Sequence, residues 1–488
     1  MRLNDITDGT IDALKNAGAY LTDLATPTLR LGVTGLSRSG KTVFITALIR
    51  NLTAGGRLPF FAPYAEGREL RAYLQPQPDD NVPRFDYEAH ISALTGDPPR
   101  WPESTRHVSE LRVTIEYQPS NVVWRAVTPG RLHVDIVDYP GEWLLDLGLL
   151  DQTYEEWSKE ALMLAREPGR HPSARSWLSH LQTLDPAAAL NEQVALEAAR
   201  IFTDYLNAAR AAEPALSTLG PGRFLLPGEL AGSPLLTFVP LDMPDGWTIP
   251  RESVAAMMQR RFESYKTHVV KPFFREHFSR LDRQIVLIDV LAALNAGPSA
   301  TTDLSRALEA SLRAFRPGAR SWLASILPRR IDRILFAASK ADHLPSSSHD
   351  RLEAILRLMT EQAAARATFA GASVGVIAMA ALRATREVEA QHKGEKMACI
   401  RGVPLAGQRI GNQTFDGKSE VALFPGDLPA DPRQLLVPGP DSAPGAVQFI
   451  RFRPPRLARL PWVAGDPQPW PHVRLDRALQ FLIGDRLS

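Results

Sequence analysis

Apolar residues in this chain follow two rhythms, and the points where one gives way to the other outline the fold. Leu29, Leu31 and Val33 alternate as in a strand, and the apolar-rich run 43–49 that follows can continue as a helix. Alternation returns at Leu111, Val113 and Ile115, and again at Leu132, Val134, Ile136 and Asp138, across a turn signal at Pro129-Gly130. Continuous apolar runs at 285–290, 334–338 and 374–379 read as strands buried on both faces. Helical patterns over 303–315 and 348–366 separate them. Strands and helices in alternation imply an α/β fold with a mostly parallel sheet.

Other stretches break this rhythm. From 143 to 281 the spacing is helical: Leu190, Val194, Ile201 and Tyr205 share one face, and Met258, Phe262, Tyr265 and Val269 another. These stripes are expected to be core. Between them, 214–250 is Pro-rich, with room for short strands. Residues 385–471 carry Gly and Pro between short β-like runs such as 447–452, so a small β-rich appendage is expected. Leu475, Ala478, Leu479 and Leu482 mark a closing helix that docks on the sheet, and Leu14, Ala17, Leu21 and Leu24 mark a helix over 4–24. The polar face of that first helix is mostly acidic, which favours packing on the protein over an anionic membrane. Residues 54–108 show little periodicity and read as a long functional or disordered loop. The expected organisation is a split nucleotide-binding core (1–142 and 282–384, completed by 472–488), a mainly helical insertion (143–281) and the appendage (385–471).

Charge and cysteine content narrow the setting. A net charge of +2 over 488 residues gives no global field for nucleic acid, and none is expected as a partner. The single cysteine, Cys399, excludes an internal disulfide and fits a reducing compartment. Asp5, Asp8, Asp12 and Asp23 interrupt the first 28 residues, which lack the apolar run of a signal peptide. The longest uncharged run, 367–382, is too short and too rich in small residues to span a membrane. The chain reads as cytoplasmic.

The chemistry centres on Gly35-Leu36-Ser37-Arg38-Ser39-Gly40-Lys41-Thr42, which fits G-x-x-x-x-G-K-[ST] between a predicted strand and a predicted helix opening at Val43. Successive backbone N–H groups and the positive end of a helix dipole cradle phosphates in that setting. Lys41 is expected to reach the β- and γ-phosphates and the Thr42 hydroxyl to meet Mg²⁺. Arg38 is expected to face solvent or an acidic neighbour. Asp138 closes a predicted strand within Asp138-Tyr139-Pro140-Gly141, where the second Mg²⁺ contact of such proteins belongs, and Gly141 would bring its amide to the γ-phosphate. Thr105, just before the strand at 109–117, is the candidate switch hydroxyl for Mg²⁺ and γ-phosphate.

Ser339-Lys340-Ala341-Asp342 resembles the guanine-specificity motif N/T-K-x-D of Ras-like and translation-factor GTPases, with Ser in the first place. A carboxylate accepts from both N1–H and the N2 amine of guanine, a pair adenine lacks. His343 follows at once and is counted with this group. Ala380-Ala381 resembles the S-A motif, whose backbone N–H meets guanine O6. Together with Asp138-Tyr-Pro-Gly-Glu-Trp143 and the run 285–295, these segments resemble the YcjX-like family of bacterial P-loop NTPases over essentially the whole chain.

The resemblance implies a Ras-like P-loop core that binds GTP and GDP with Mg²⁺, a stress-linked role, and an inner-membrane partner protein with peripheral association. In Ras-like enzymes a Gln that orients the attacking water often follows D-x-x-G; here Glu142 stands in its place. A carboxylate there adds negative charge beside an anionic transition state. Slow intrinsic hydrolysis is therefore expected unless a partner or a homo-oligomer completes the site. An ATPase on the same core and a non-hydrolysing, nucleotide-stabilised scaffold are the alternatives.

Overall fold

The structure is a computed structural model that describes residues 26–36, 38–103, 107–120, 130–212, 216–312, 331–392, 395–435, 448–457 and 469–488. The expected helix at 4–24 and the candidates Ser37 and Thr105 lie outside the described residues.

Seven strands form the central sheet: β1 (Thr28–Gly35), β2 (Glu69–Gln75), β3 (Ser109–Tyr117), β4 (Gly130–Asp138), β5 (Arg283–Ile288), β6 (Arg333–Ala338) and β7 (Ser373–Ala378), in the order β2-β3-β4-β1-β5-β6-β7. From β4 to β7 neighbours run parallel, while β2, β3 and β4 pair antiparallel. Leu29, Leu31 and Val33 face a core shared with α1 (Lys41–Thr53) through Phe44, Ile45 and Leu48. Val286, Ile288, Ile334 and Phe336 face a second core. It is covered by three helices: α2 (Val290–Ala296), α3 (Pro298–Leu312) and α4 (His349–Phe369). Burial on both faces explains why β5 and β6 read as unbroken apolar runs; β7, at the sheet edge, is buried only at Ile377 and Ala378, so the expectation of burial on both faces fails there.

The last helix, α5 (Leu475–Ile483), packs Leu475, Leu479 and Leu482 into the β1 side of the core. Arg283 on β5 pins it. Its guanidinium is 1 % exposed and donates to Leu482 O and Asp485 Oδ1, each at 2.7 Å, and also pairs with Asp332. A buried arginine is tolerable only when its donors are matched in this way.

Helices between Tyr154 and Glu276 build a separate aromatic core from Trp157, Trp177, Phe202, Phe224, Phe238 and Phe262, with Trp177 stacked on Tyr205 at 5.1 Å. This core reaches the sheet where β4 ends. Phe273 sits edge-on to both Tyr139 and Trp143, at 5.9 and 5.5 Å. Past β7, a three-stranded antiparallel sheet holds Arg386–His392, Glu395–Gly402 and Val421–Leu423.

Three expectations change. Residues 54–108 are not one long loop: they contain β2, an edge strand of the main sheet, and the helix Tyr87–Thr95. The strand escaped notice because only Ala72 of it is buried and its cross-strand bonds are polar: Arg71 Nε and Tyr73 OH both donate to Glu116, at 2.6 and 3.1 Å. The described part of 214–250 forms short helical turns and no strand. Within 448–452 only Phe452 takes part in β pairing, as an isolated bridge to Pro404.

Candidate functional site

The phosphate-binding motif folds as the loop between β1 and α1. Gly40 caps the helix with φ of 88°, a left-handed conformation that favours glycine, and Phe44 N–H donates to its carbonyl at 2.9 Å. Ser39 N–H donates to Leu36 O at 3.2 Å, and Lys41 Nζ donates to Gly35 O at 2.7 Å. Among the described residues the Ser39 hydroxyl is buried without a hydrogen-bond partner. Arg38 is exposed, as expected, although it lines the cleft below.

Asp138, fully buried at the end of β4, pairs in register with Val33 of β1 and so lies beside the loop. Gly141 packs against it. A Cβ there would fall 2.3 Å from Gly35 O and 3.0 Å from Leu36 N, so no other residue fits without displacing backbone. The D-x-x-G segment is thereby closed onto the phosphate loop. A hydroxyl (Thr42) and one carboxylate (Asp138) suit a hard cation such as Mg²⁺, which takes few protein ligands and completes its shell with phosphate and water. Among the described residues no group of three or more His, Cys, Asp or Glu side chains is placed to hold a metal ion.

A cleft of about 290 Å³ lies along the carboxyl edge of the sheet, where open α/β folds place their ligands. Arg38 to Val43 line one end, and Ser339, Lys340, Asp342, His343, Ala380 and Ala381 the other. The parallel register of β1, β5, β6 and β7 brings these two groups together, some 300 positions apart in the chain.

Lys340 adopts a left-handed conformation, φ 62°, and its ammonium pairs with Asp289. Asp342 is 5 % exposed; its Oδ2 accepts from Ala384 N–H at 2.7 Å, and its backbone carbonyl accepts from the Thr385 hydroxyl. Burial pushes the His343 imidazole below the usual histidine range, with the Asp342 carboxylate opposing it. One assignment is corrected. Ala380 N–H donates to Val473 O at 3.0 Å, so it is not available to a purine O6.

Glu142 begins a helical turn, Glu142–Leu145, which the aromatic core holds from the far side. Its side chain is 8 % exposed and pairs with Arg210 at 3.2 Å. Asp146, one turn on, accepts from Gly222 N–H and from Tyr265 OH, each at 2.6 Å; burial raises its carboxyl to about 6 against the pull of those bonds. The Arg223 guanidinium lies over Trp143 at 3.4 Å.

Over residues 29–487 the chain matches the model of the YcjX-like family, DUF463. It belongs to that family. It is 39 % identical over 472 residues to a Ras-like GTPase YcjX of Escherichia coli K12, covering 94 % of this chain and 96 % of the relative. A Ras-like GTPase YcjX of Shewanella oneidensis MR-1 is 35 % identical over 481 residues, covering 94 % and 95 %. The fold is accordingly that of a Ras-like P-loop protein, with additions.

Several residues that shape the site carry no motif. Asp289, partner of Lys340, was read as part of the strand 285–290; β5 ends at Ile288, and Asp289 instead caps α2, accepting from Ala292 N–H at 3.1 Å. Trp101, Leu405 and Phe452 reach the cleft, and Arg210 reaches Glu142, only through tertiary folding.

Proposed function

We propose that this protein binds guanine nucleotides with Mg²⁺ and slowly hydrolyses GTP. The observation that carries the reading is the single cleft shared by the Lys41 loop and the Asp342 loop. The printed names of the relatives point the same way. Loop amides and Lys41 would hold the phosphates, Thr42 and Asp138 the metal, and Asp342 with Ala381 N–H the base. When bound, Mg²⁺ neutralises charge on the phosphate oxygens. The protein positions the triphosphate and a water; Gly141 offers its amide beside the phosphate loop, and Glu142 orients the nucleophile. Arg210 balances the charge of that carboxylate, which would otherwise oppose the anionic transition state. The insertion bearing Arg210 thus serves as a lever on the hydrolytic segment, and a partner or second copy is expected to raise the rate.

Calorimetry with Mg²⁺ should detect GTP and GDP and little ATP. Phosphate release should fall from a turnover below about 1 s⁻¹ to background in Lys41→Ala. Uptake of neither guanine nucleotide would end the reading; uptake with equal release by both proteins would favour a scaffold.

A further inference from the structure

The far wall of the cleft comes from outside the Ras-like core. Leu405, Arg451 and Phe452 line it, together with Trp101 and Glu103 from the segment ahead of β3. Phe452 is 2 % exposed, and its ring meets the His343 imidazole edge-on at 5.1 Å. Its position is fixed by the bridge to Pro404 and by two flanking bonds, Leu405 N–H to Arg451 O and Arg453 N–H to Val403 O, both 2.8 Å. Trp101 Nε1–H donates to Phe452 O at 2.7 Å, joining residues 351 positions apart. Two residues on, Glu103 O accepts from the Thr42 hydroxyl at 3.4 Å.

These contacts make an unbroken path around the cleft: Thr42, Glu103, Trp101, Phe452, His343, Asp342. It links the residue assigned to the metal with the residue assigned to the base, and no strand of the sheet is part of it. We infer that residues 101–103 and Phe452 form a strap that retains the bound nucleotide, so that the β-rich appendage sets its rate of release. The inference rests on the guanine-nucleotide reading and adds to it a binding role for the appendage. A nucleotide held between Lys41 and Asp342 is flanked by both halves of the strap, and the bond from Trp101 to Phe452 is the joint between them. Loss of one half-buried hydrogen bond at the joint should act on departure more than on arrival, as most changes within one interface do.

The test is the release of radiolabelled GDP from the full-length chain, chased with unlabelled GDP. Trp101→Phe keeps the aromatic body and deletes the donor; release is expected to quicken about fivefold, with association and unliganded melting temperature little changed. Phe452→Leu, which keeps the backbone acceptor but withdraws the ring from His343, should quicken release as well. Unchanged release in both variants overturns the strap. So does a lower unliganded melting temperature with unchanged release, which marks a purely structural bond. Wild-type chain that retains no GDP overturns the guanine reading, and the strap with it.

Discussion

Removing Arg210 tests how this chain tolerates a carboxylate where a neutral amide serves in Ras-like enzymes. Arg210→Ala leaves Glu142, 8 % exposed, without its ion pair. Breaking a buried pair costs about 3–5 kcal/mol. Arg210 keeps a quarter of its side chain in solvent, so about 2 kcal/mol of stability is the better figure here. The effect on rate is separate. Glu142 follows Gly141, which is packed on the phosphate loop, and on the proposed reading its charge acts on the phosphate across roughly 6 Å. Across that distance at an effective dielectric of about 20, one unneutralised charge acts with about 3 kcal/mol. Water entering the space left by Arg210 reduces this, and a fall of about tenfold to hundredfold in single-turnover GTP hydrolysis is expected. GDP affinity should be unchanged. Glu142→Gln in the same chain removes the charge and should restore most of the rate, so the two substitutions are non-additive. Hydrolysis in Arg210→Ala that is unchanged or faster, or a double variant no better than the single, would refute the argument.

Three other substitutions probe base selection, the insertion and the core. Asp342→Asn keeps an oxygen for Ala384 N–H but presents an amide donor to the base, so competition assays should show guanine preference lost and xanthosine nucleotides gaining about tenfold or more. Asp146 holds its proton to about pH 6 when folded and to about pH 4 when unfolded. Folding therefore takes up a proton in that window, and stability is full below about pH 4 and falls by about 3 kcal/mol as pH rises through 6. Asp146→Asn mimics the protonated form, so it should melt above wild type at pH 8, the gap closing toward pH 4; a constant gap would reject the shift. Arg283→Met strips the pin from α5 and leaves Leu482 O without that donor, for an expected loss of about 2–3 kcal/mol in urea unfolding.

Burial on both faces made β5 and β6 legible, since apolar runs such as 334–338 have few alternatives, and alternation made β1, β3 and β4 legible. The phosphate loop was legible because backbone geometry demands its glycines. Asp342 was singled out by its resemblance to N/T-K-x-D, and the fold brings it into one cleft with the phosphate loop. What stayed hidden depends on contacts distant in sequence. Arg210 is one of two arginines on the amphipathic helix Glu192–Ala211, and nothing local separates it from Arg200, which pairs with Glu197 and Asp204 in solvent. Phe452 sits in a run that resembles a strand; its meaning comes from Trp101 and His343. Ala380 was assigned with its neighbour because the resemblance covers both, while the bond to Val473 that removes it arises 93 positions downstream.

The docking of α5 has a bearing on biogenesis. Residues 475–487 fill the same apolar space as β1 and α1, which leave the ribosome more than 400 residues earlier. Until residues 475–487 have emerged, the apolar space around Phe44, Leu48 and Leu31 lacks that helix, and the loop between β1 and α1 rests on an incomplete core. Nascent chains should thus need a chaperone over the interval between emergence of α1 and emergence of α5, and should form a stable phosphate-loop core only after α5 has docked.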